Sequence, residues 1–190
     1  MNSNFIYMDF EGYMDAPPSF VGVSFQGEFR QIVLTENLKG CEGHSGVVFQ
    51  PLREFLSESI SLAVMHNVKI CGFTTREMEV FLEAGLPEIE NHYFNAHKAL
   101  KKWFNQNHHA TRPRPFSLDK ILEFFNYPLK SYGFQQATQR IRAMETQLIR
   151  RNQDFTKVTP VTKSKWTRVL NYNRQDVEGM MFALKSASIV

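Results

Sequence analysis

Residues 5–11 read Phe-Ile-Tyr-Met-Asp-Phe-Glu, an apolar and aromatic stretch that ends in two acids. Successive side chains of a β-strand point to opposite faces of the sheet. The stretch therefore predicts a strand with Asp9 and Glu11 on one face and its apolar even-numbered side chains on the other. Two carboxylates on one strand face repel each other, so they are either solvated at a strand end or held by a hard cation such as Mg²⁺.

The rest of the chain predicts a sheet that is covered by helices. Two further apolar or alternating runs, 19–26 and 28–35, surround Gly27 and predict a hairpin. Later strands are predicted at 68–73 and 92–95. Helices are predicted over 52–63, 74–84, 100–104, 118–125 and 135–151, and from a Thr162 cap to about 186. This order favours an α/β class, with residues 1–190 forming a single domain.

Composition excludes several classes of protein. Hydrophobic residues make up 43% and charged residues 22% of the chain, as in an ordinary globular domain that can bury a core. No apolar run is long enough to span a membrane, and the N-terminus lacks the zones of a signal peptide. We therefore expect a cytoplasmic protein without a membrane partner. Cys41 and Cys71 form no CxxC pair, which argues against a zinc site built on thiolates.

Positive charge is concentrated late in the chain. The net charge of +3 is too small to indicate a nucleic-acid partner by itself. The clustered basic residues are Arg112 and Arg114 beside a proline, Arg140, Arg142, Arg150 and Arg151 on one predicted helix, and Lys163, Lys165 and Arg168 on the next. This distribution fits either a nucleic-acid-binding surface or a solvated pair of helices.

The last predicted helix places an acid within an apolar stripe. Steps of three or four residues return to one helix face. The residues on this stripe are Val169, Tyr172, Asp176, Met180 and Ala183. A buried carboxylate needs a partner. Asp176 is therefore expected to meet a cation, or to lie at the stripe's edge, hydrated or paired with Arg174 or Lys185.

These motifs together resemble the DEDD superfamily of 3′-5′ exonucleases. In that family an Asp-x-Glu on the first strand, here Asp9 and Glu11, meets an acid from a central helix start and an Asp from a late helix. The segment Tyr172-Asn-Arg-Gln-Asp176 is similar to the third motif of the tyrosine subclass (DEDDy). With Val177 and Glu178 it is also similar to a small group of RNase H-like nucleases that share Tyr-Asn-Arg-x-Asp-Val-Glu. The histidine subclass would require His at position 171, where this chain has Asn.

The middle motif differs from the usual form of the family, in which an Asp follows an Asn-containing strand end. The stretch 71–77 instead supplies Glu77, as in the group with the extended third motif. Thr74-x-x-Glu77 is also a capping box, in which the glutamate would bond to the backbone at the start of the helix. Glu77 is therefore open to a catalytic and a structural interpretation.

The resemblance implies an RNase H-like fold and a metal-dependent 3′-5′ exonuclease acting on DNA or RNA, with a single-stranded 3′ end as partner. Its two Mg²⁺ or Mn²⁺ ions would be bridged by Asp9. Glu11 and Asp176 would complete one site, and Glu77 would support the other through water. Tyr172 would orient the attacking water.

Three interpretations stay open. The chain is either this exonuclease, a catalytically silent RNase H-like module that binds nucleic acid or protein, or an unrelated α/β protein with solvated acids. A histidine metal site is disfavoured, because the spacing of His92, His97, His108 and His109 fits no zinc motif. The sequence does not indicate an oligomeric state.

Overall fold

The structure is a computed structural model that describes residues 4–13, 15–107, 117–131 and 136–190. Its centre is a six-stranded mixed sheet with the order β4-β3-β2-β1-β5-β6. The strands are β1 (Phe5–Glu11), β2 (Phe20–Phe25), β3 (Glu28–Val33), β4 (Val47–Phe49), β5 (Lys69–Gly72) and β6 (Tyr93–Asn95). This mixed sheet with helices on both faces confirms the predicted α/β class.

The helices are α1 (Leu52–His66), α2 (Arg76–Glu83), α3 (Ile89–His92), α4 (Ala96–Asn107), α5 (Leu118–Phe124), α6 (Ala137–Arg150) and α7 (Pro160–Ser186). Two 3₁₀ turns, Glu36–Cys41 and Phe155–Lys157, complete the described elements. Within the described residues, no helix is both long and apolar enough to cross a membrane.

Strand β1 lies in the middle of the sheet and has a partner on each side. It runs antiparallel to β2, with Asp9 opposite Gly22. It runs parallel to β5, with Tyr7 opposite Cys71. The carboxyl ends of β1 and β5 therefore meet at one edge of the sheet, which is where Glu11 ends β1.

The two faces of the sheet have different helical covers. Ile6 and Met8 of β1 pack in a core with residues of α1, α2 and α3. Tyr7 packs on the opposite face with α4, α5 and the second half of α7. The first half of α7 packs with α6 over β2 and β3 on that same face. Asp9 and Glu11 lie two and four residues after Tyr7 in the strand, so they are on the same face of the sheet and face α7.

The elements predicted from local pattern are confirmed, with corrections at their ends. The helix predicted over 100–104 is longer at both ends, because α4 runs from Ala96 to Asn107. The short β4 and α3 were not predicted. The last helix begins at Pro160 and not at a Thr162 cap, because the side chain of Thr159 accepts the hydrogen bond from the Thr162 amide.

Candidate metal centre

Three acids from distant parts of the chain meet beside the sheet. Asp9 and Glu11 come from the end of β1, and Asp176 comes from the middle of α7. One carboxylate oxygen of each lies within 4.8 Å of one oxygen of each of the others. All three side chains are partly buried. The two sequence motifs that carried the prediction are therefore adjacent in space.

A glycine on β2 allows α7 to approach so closely. Gly22 pairs with Asp9 across the strands. A Cβ atom at Gly22 would lie 2.1 Å from Oδ1 of Asn173, so any larger residue would displace the Asn173 side chain. Asn173 is fully buried and donates through Nδ2 to both the backbone oxygen and Oδ2 of Asp9, each at 2.9 Å. Gln31 on β3 fixes the same turn by donating to the Leu170 carbonyl at 2.7 Å.

The three carboxyl groups resist ionisation together. Burial raises the pKa of Asp9 well above its ordinary value, and the charges of Asp176 and Glu77 raise it further. The pKa of Glu11 is raised by burial and then by Asp9. Burial, Glu11 and Asp119 raise the pKa of Asp176. Each acid therefore hinders the ionisation of the next, and a cation would relieve this repulsion.

Asp176 has an unsatisfied oxygen. Its Oδ1 atom is buried and has no hydrogen-bond partner. Of the two cations expected as partners, Arg174 pairs with Glu178 at 3.1 Å, and Lys185 forms no ion pair within the described residues. Buried polar atoms are nearly always bonded, so this oxygen marks a place for a ligand. An all-oxygen donor set suits Mg²⁺ or Mn²⁺.

Tyr172 lies next to this cluster, one helical turn before Asp176. Burial raises the pKa of its hydroxyl, and the charges of Asp176, Glu11 and Asp9 raise it further. The hydroxyl in turn lowers the pKa of Asp176. It therefore stays protonated and can donate a hydrogen bond towards the acids.

Glu77 lies outside the cluster of three. It is buried, and its Oε2 accepts hydrogen bonds from the Thr74 amide at 3.1 Å, the Thr74 hydroxyl at 3.2 Å and the Tyr93 hydroxyl at 3.2 Å. The bond to the Thr74 amide is the one that the capping-box interpretation predicted. Glu77 is nevertheless close enough to Asp9 to raise the pKa of Asp9. The geometry thus accounts for a structural role and leaves a metal-supporting role as a prediction.

Asp119 is a further acid near the site that was missed in the sequence. It lies in the first turn of α5, where an acid after a Ser117 cap is ordinary helix chemistry. Its charge raises the pKa of both Asp176 and Tyr172. With Tyr172 and Gln175 it lines a cleft of about 270 Å³. No local signal separates this acid from a helix-start acid, because only the packing of α5 on α7 brings it there.

Other candidate sites are not supported among the described residues. His92 and His97 belong to no group of metal-binding side chains there, and His108 and His109 lie outside the described residues. A cavity of about 400 Å³ lies on the opposite face of the sheet. Its polar groups are already bonded to each other, for example Arg30 to Glu28 at 3.0 Å, so it offers no comparable unsatisfied set.

Comparisons with known proteins leave this site to be interpreted from its own geometry. No protein-family model matches the chain, and no curated protein or solved structure matches it.

Proposed function

We propose that this chain is an RNase H-like, metal-dependent 3′-5′ exonuclease that hydrolyses phosphodiester bonds of DNA or RNA. The observation that carries the proposal is the cluster of Asp9, Glu11 and Asp176, with a buried oxygen of Asp176 that has no partner. The mixed sheet flanked by helices is the layout that the resemblance to DEDD exonucleases implies.

The donor set fits a hard divalent ion. Asp9, Glu11 and Asp176 would hold it. Two such ions activate the attacking water and stabilise the leaving 3′-oxygen of a phosphodiester. The contribution of the protein is to hold the carboxylates together against their repulsion. Asn173 does so for Asp9, because it bonds the side chain and backbone of Asp9 at once.

Tyr172 would position water and would not remove its proton. A phenol with an ordinary pKa near 10 is already a poor base at neutral pH. In this site the three acids raise the pKa of Tyr172 further, so the hydroxyl remains a donor. A hydrogen bond from this hydroxyl can orient a water molecule or a phosphate oxygen beside Asp176.

A nucleic-acid partner is supported by the segregation of charge. Residues 136–170 contain eight lysines and arginines but two acids, whereas the whole chain has 22 and 19. The remainder of the chain is therefore net negative. Among the described residues, Arg142, Arg150, Lys165 and Arg168 form no ion pair. Exposed cations without acidic partners are available for phosphate contacts.

This basic surface adjoins the acids. The Arg142 guanidinium lies over the ring of Tyr13, 5.2 Å from its centroid, and Tyr13 is two residues beyond Glu11. Arg168 lies one helical turn before Tyr172 on α7. A nucleic-acid strand bound along these cations would lie next to the carboxylates; the single-stranded 3′ end is what the resemblance implies.

The test is hydrolysis by the purified protein with Mg²⁺ or Mn²⁺. Single-stranded and duplex DNA and RNA would carry a label at the 5′ end, so that digestion from the 3′ end gives a ladder of labelled products. Asp176→Asn is the control for a contaminating nuclease. We expect a metal-dependent ladder from the wild-type protein alone. Binding of oligonucleotides without hydrolysis would favour the silent RNase H-like module, and neither binding nor hydrolysis would favour an unrelated α/β protein.

A further inference from the structure

The loop between β1 and β2 follows directly after Glu11 and is closed on itself. The Ser19 amide donates to the Glu11 carbonyl at 2.9 Å, so the two ends of the loop meet at the proposed metal ligand. The loop forms one wall of a cleft of about 350 Å³ beside the acids, lined in part by Glu11, Gly12, Tyr13 and Arg76. Its position therefore sets both the end of β1 and the shape of this cleft.

Helix α6 holds the first half of this loop. The Thr138 hydroxyl donates to the Gly12 carbonyl at 2.9 Å. Two turns further along α6, the Tyr13 hydroxyl donates to Oε2 of Glu145. The ring of Tyr13 lies beneath the Arg142 guanidinium. Tyr13 thus contacts two residues one turn apart on α6: Arg142 lies over its ring, and Glu145 accepts from its hydroxyl.

The same carboxylate also reaches the other end of the loop. The Ser19 hydroxyl contacts Oε1 of Glu145 at 3.4 Å. Glu145 is 8% exposed, and it accepts from two residues more than a hundred positions earlier in the chain. A buried carboxylate is costly unless it is bonded. The bonds to Tyr13 and Ser19 therefore tie the loop to α6 more strongly than exposed hydrogen bonds would.

We propose that Tyr13 and Glu145 form a latch that holds the β1–β2 loop, and that both are positioning residues for Glu11 and for the cleft beside it. The inference rests on the proposed function where it concerns metal and substrate. It assigns to α6, which contributes none of the cluster acids, a role in metal and substrate binding. Because the Arg142 guanidinium of the basic surface lies over the ring of Tyr13, a phosphate bound to Arg142 would lie beside the loop that follows Glu11.

The test uses four variants of the full chain. Tyr13→Phe keeps the ring under Arg142 but deletes the donated hydrogen bond. Glu145→Leu deletes the acceptor, and Glu145→Gln keeps an acceptor of the same shape. Gln139→Ala, on the exposed face of α6, is the matched control. Three quantities are measured: hydrogen exchange of the Ser19 amide, which donates to the Glu11 carbonyl, the half-saturating Mn²⁺ concentration for thermal stabilisation, and KM and kcat on a labelled oligonucleotide.

In Tyr13→Phe and Glu145→Leu we expect the Ser19 amide to exchange about tenfold faster, which corresponds to the loss of one hydrogen bond to a charged group. KM and half-saturating Mn²⁺ should rise about fivefold to tenfold, with a smaller change in kcat. Glu145→Gln should change these quantities less than Glu145→Leu does, because it keeps one acceptor oxygen, and Gln139→Ala should stay close to wild type. Unchanged exchange in Tyr13→Phe would overturn the latch, and faster exchange with unchanged Mn²⁺ dependence would overturn its positioning role.

The proposed function can be disproved independently of the latch. If the wild-type protein binds Mn²⁺ but hydrolyses nothing, the nuclease proposal is wrong, and the exchange and Mn²⁺ measurements still decide the latch. If the wild-type protein does not bind Mn²⁺, both the metal centre and the positioning role are overturned.

Discussion

Buried acids in this protein belong to two groups that differ in what neutralises them. Glu77 and Glu145 accept hydrogen bonds from hydroxyl or amide donors of the protein. Asp9, Glu11 and Asp176 lie against each other with few donors, and one oxygen of Asp176 has none. Burial alone therefore does not identify a metal site. The distinguishing feature is mutual proximity with few donors, which is unfavourable unless an ion binds.

The largest effect is expected where the cluster loses a charge. Asp9→Asn or Asp176→Asn should reduce metal-dependent hydrolysis by about 10³-fold or more, because a lost metal ligand removes several kcal/mol of transition-state stabilisation. The metal-free variant should melt at the same temperature or higher, because one member of a repelling set is neutral. Steady-state kinetics and thermal melts in EDTA measure both. Wild-type turnover in either variant would remove the distinction between the two groups of acids.

Removing the Tyr172 hydroxyl tests the donor that faces the cluster. Tyr172→Phe keeps the packing of the ring but deletes the group that would position water. We expect kcat to fall about 10²-fold while KM changes little. Rapid-quench or steady-state assays at saturating Mn²⁺ separate the two constants. An unchanged kcat would make Tyr172 a packing residue of α7.

Glu77 shares a feature with each group, because it accepts hydrogen bonds from the protein and also raises the pKa of Asp9. The variant Glu77→Gln tests whether its role is structural or metal-supporting. Glutamine can still accept the bonds from Thr74 and Tyr93, so the melting temperature should stay within a degree or two. We expect hydrolysis to fall about tenfold, less than for the cluster acids, since Glu77 would support the second ion through water. Full activity would place Glu77 with Glu145 as a purely structural acid and would leave the second ion without its proposed ligand.

The smallest effect is the pH dependence of the cluster. The pKa values of Asp9, Glu11 and Asp176 are raised, so the metal-free folded protein binds more protons than the unfolded chain from about pH 4 upwards. Its stability should therefore fall as the pH rises through this window, by about 1.4 kcal/mol for each unit of raised pKa. Mn²⁺ competes with these protons, so half-saturating Mn²⁺ should fall as the pH rises.

Thermal melts from pH 4 to pH 8, with and without Mn²⁺, provide the measurement. Asp176→Asn is the control, since it should flatten the pH dependence of the metal-free protein. A wild-type protein whose metal-free stability rises steadily across this window would contradict the raised pKa values and the description of the cluster as self-repelling.

Much of the fold could be predicted because its signals are local. Alternation in residues 5–11 predicted β1 and the shared face of Asp9 and Glu11, and helical spacing predicted the interior face of Asp176. The short β4 was not predictable in this way. Its three residues are a strand only because β3 provides a parallel partner.

The sequence by itself determined which acids could act, because Asp-x-Glu on a strand and Asp within an apolar helical stripe are patterns of a few residues. Only the tertiary structure decided which acids meet. Gly22 and Asn173 are distant in the chain, and together they allow α7 to pack against β1. Thr74 and Tyr93 donate hydrogen bonds to the Glu77 carboxylate. The physical reason is that strand and helix periodicity follow from neighbouring residues, whereas the distance between two carboxylates depends on how whole elements pack.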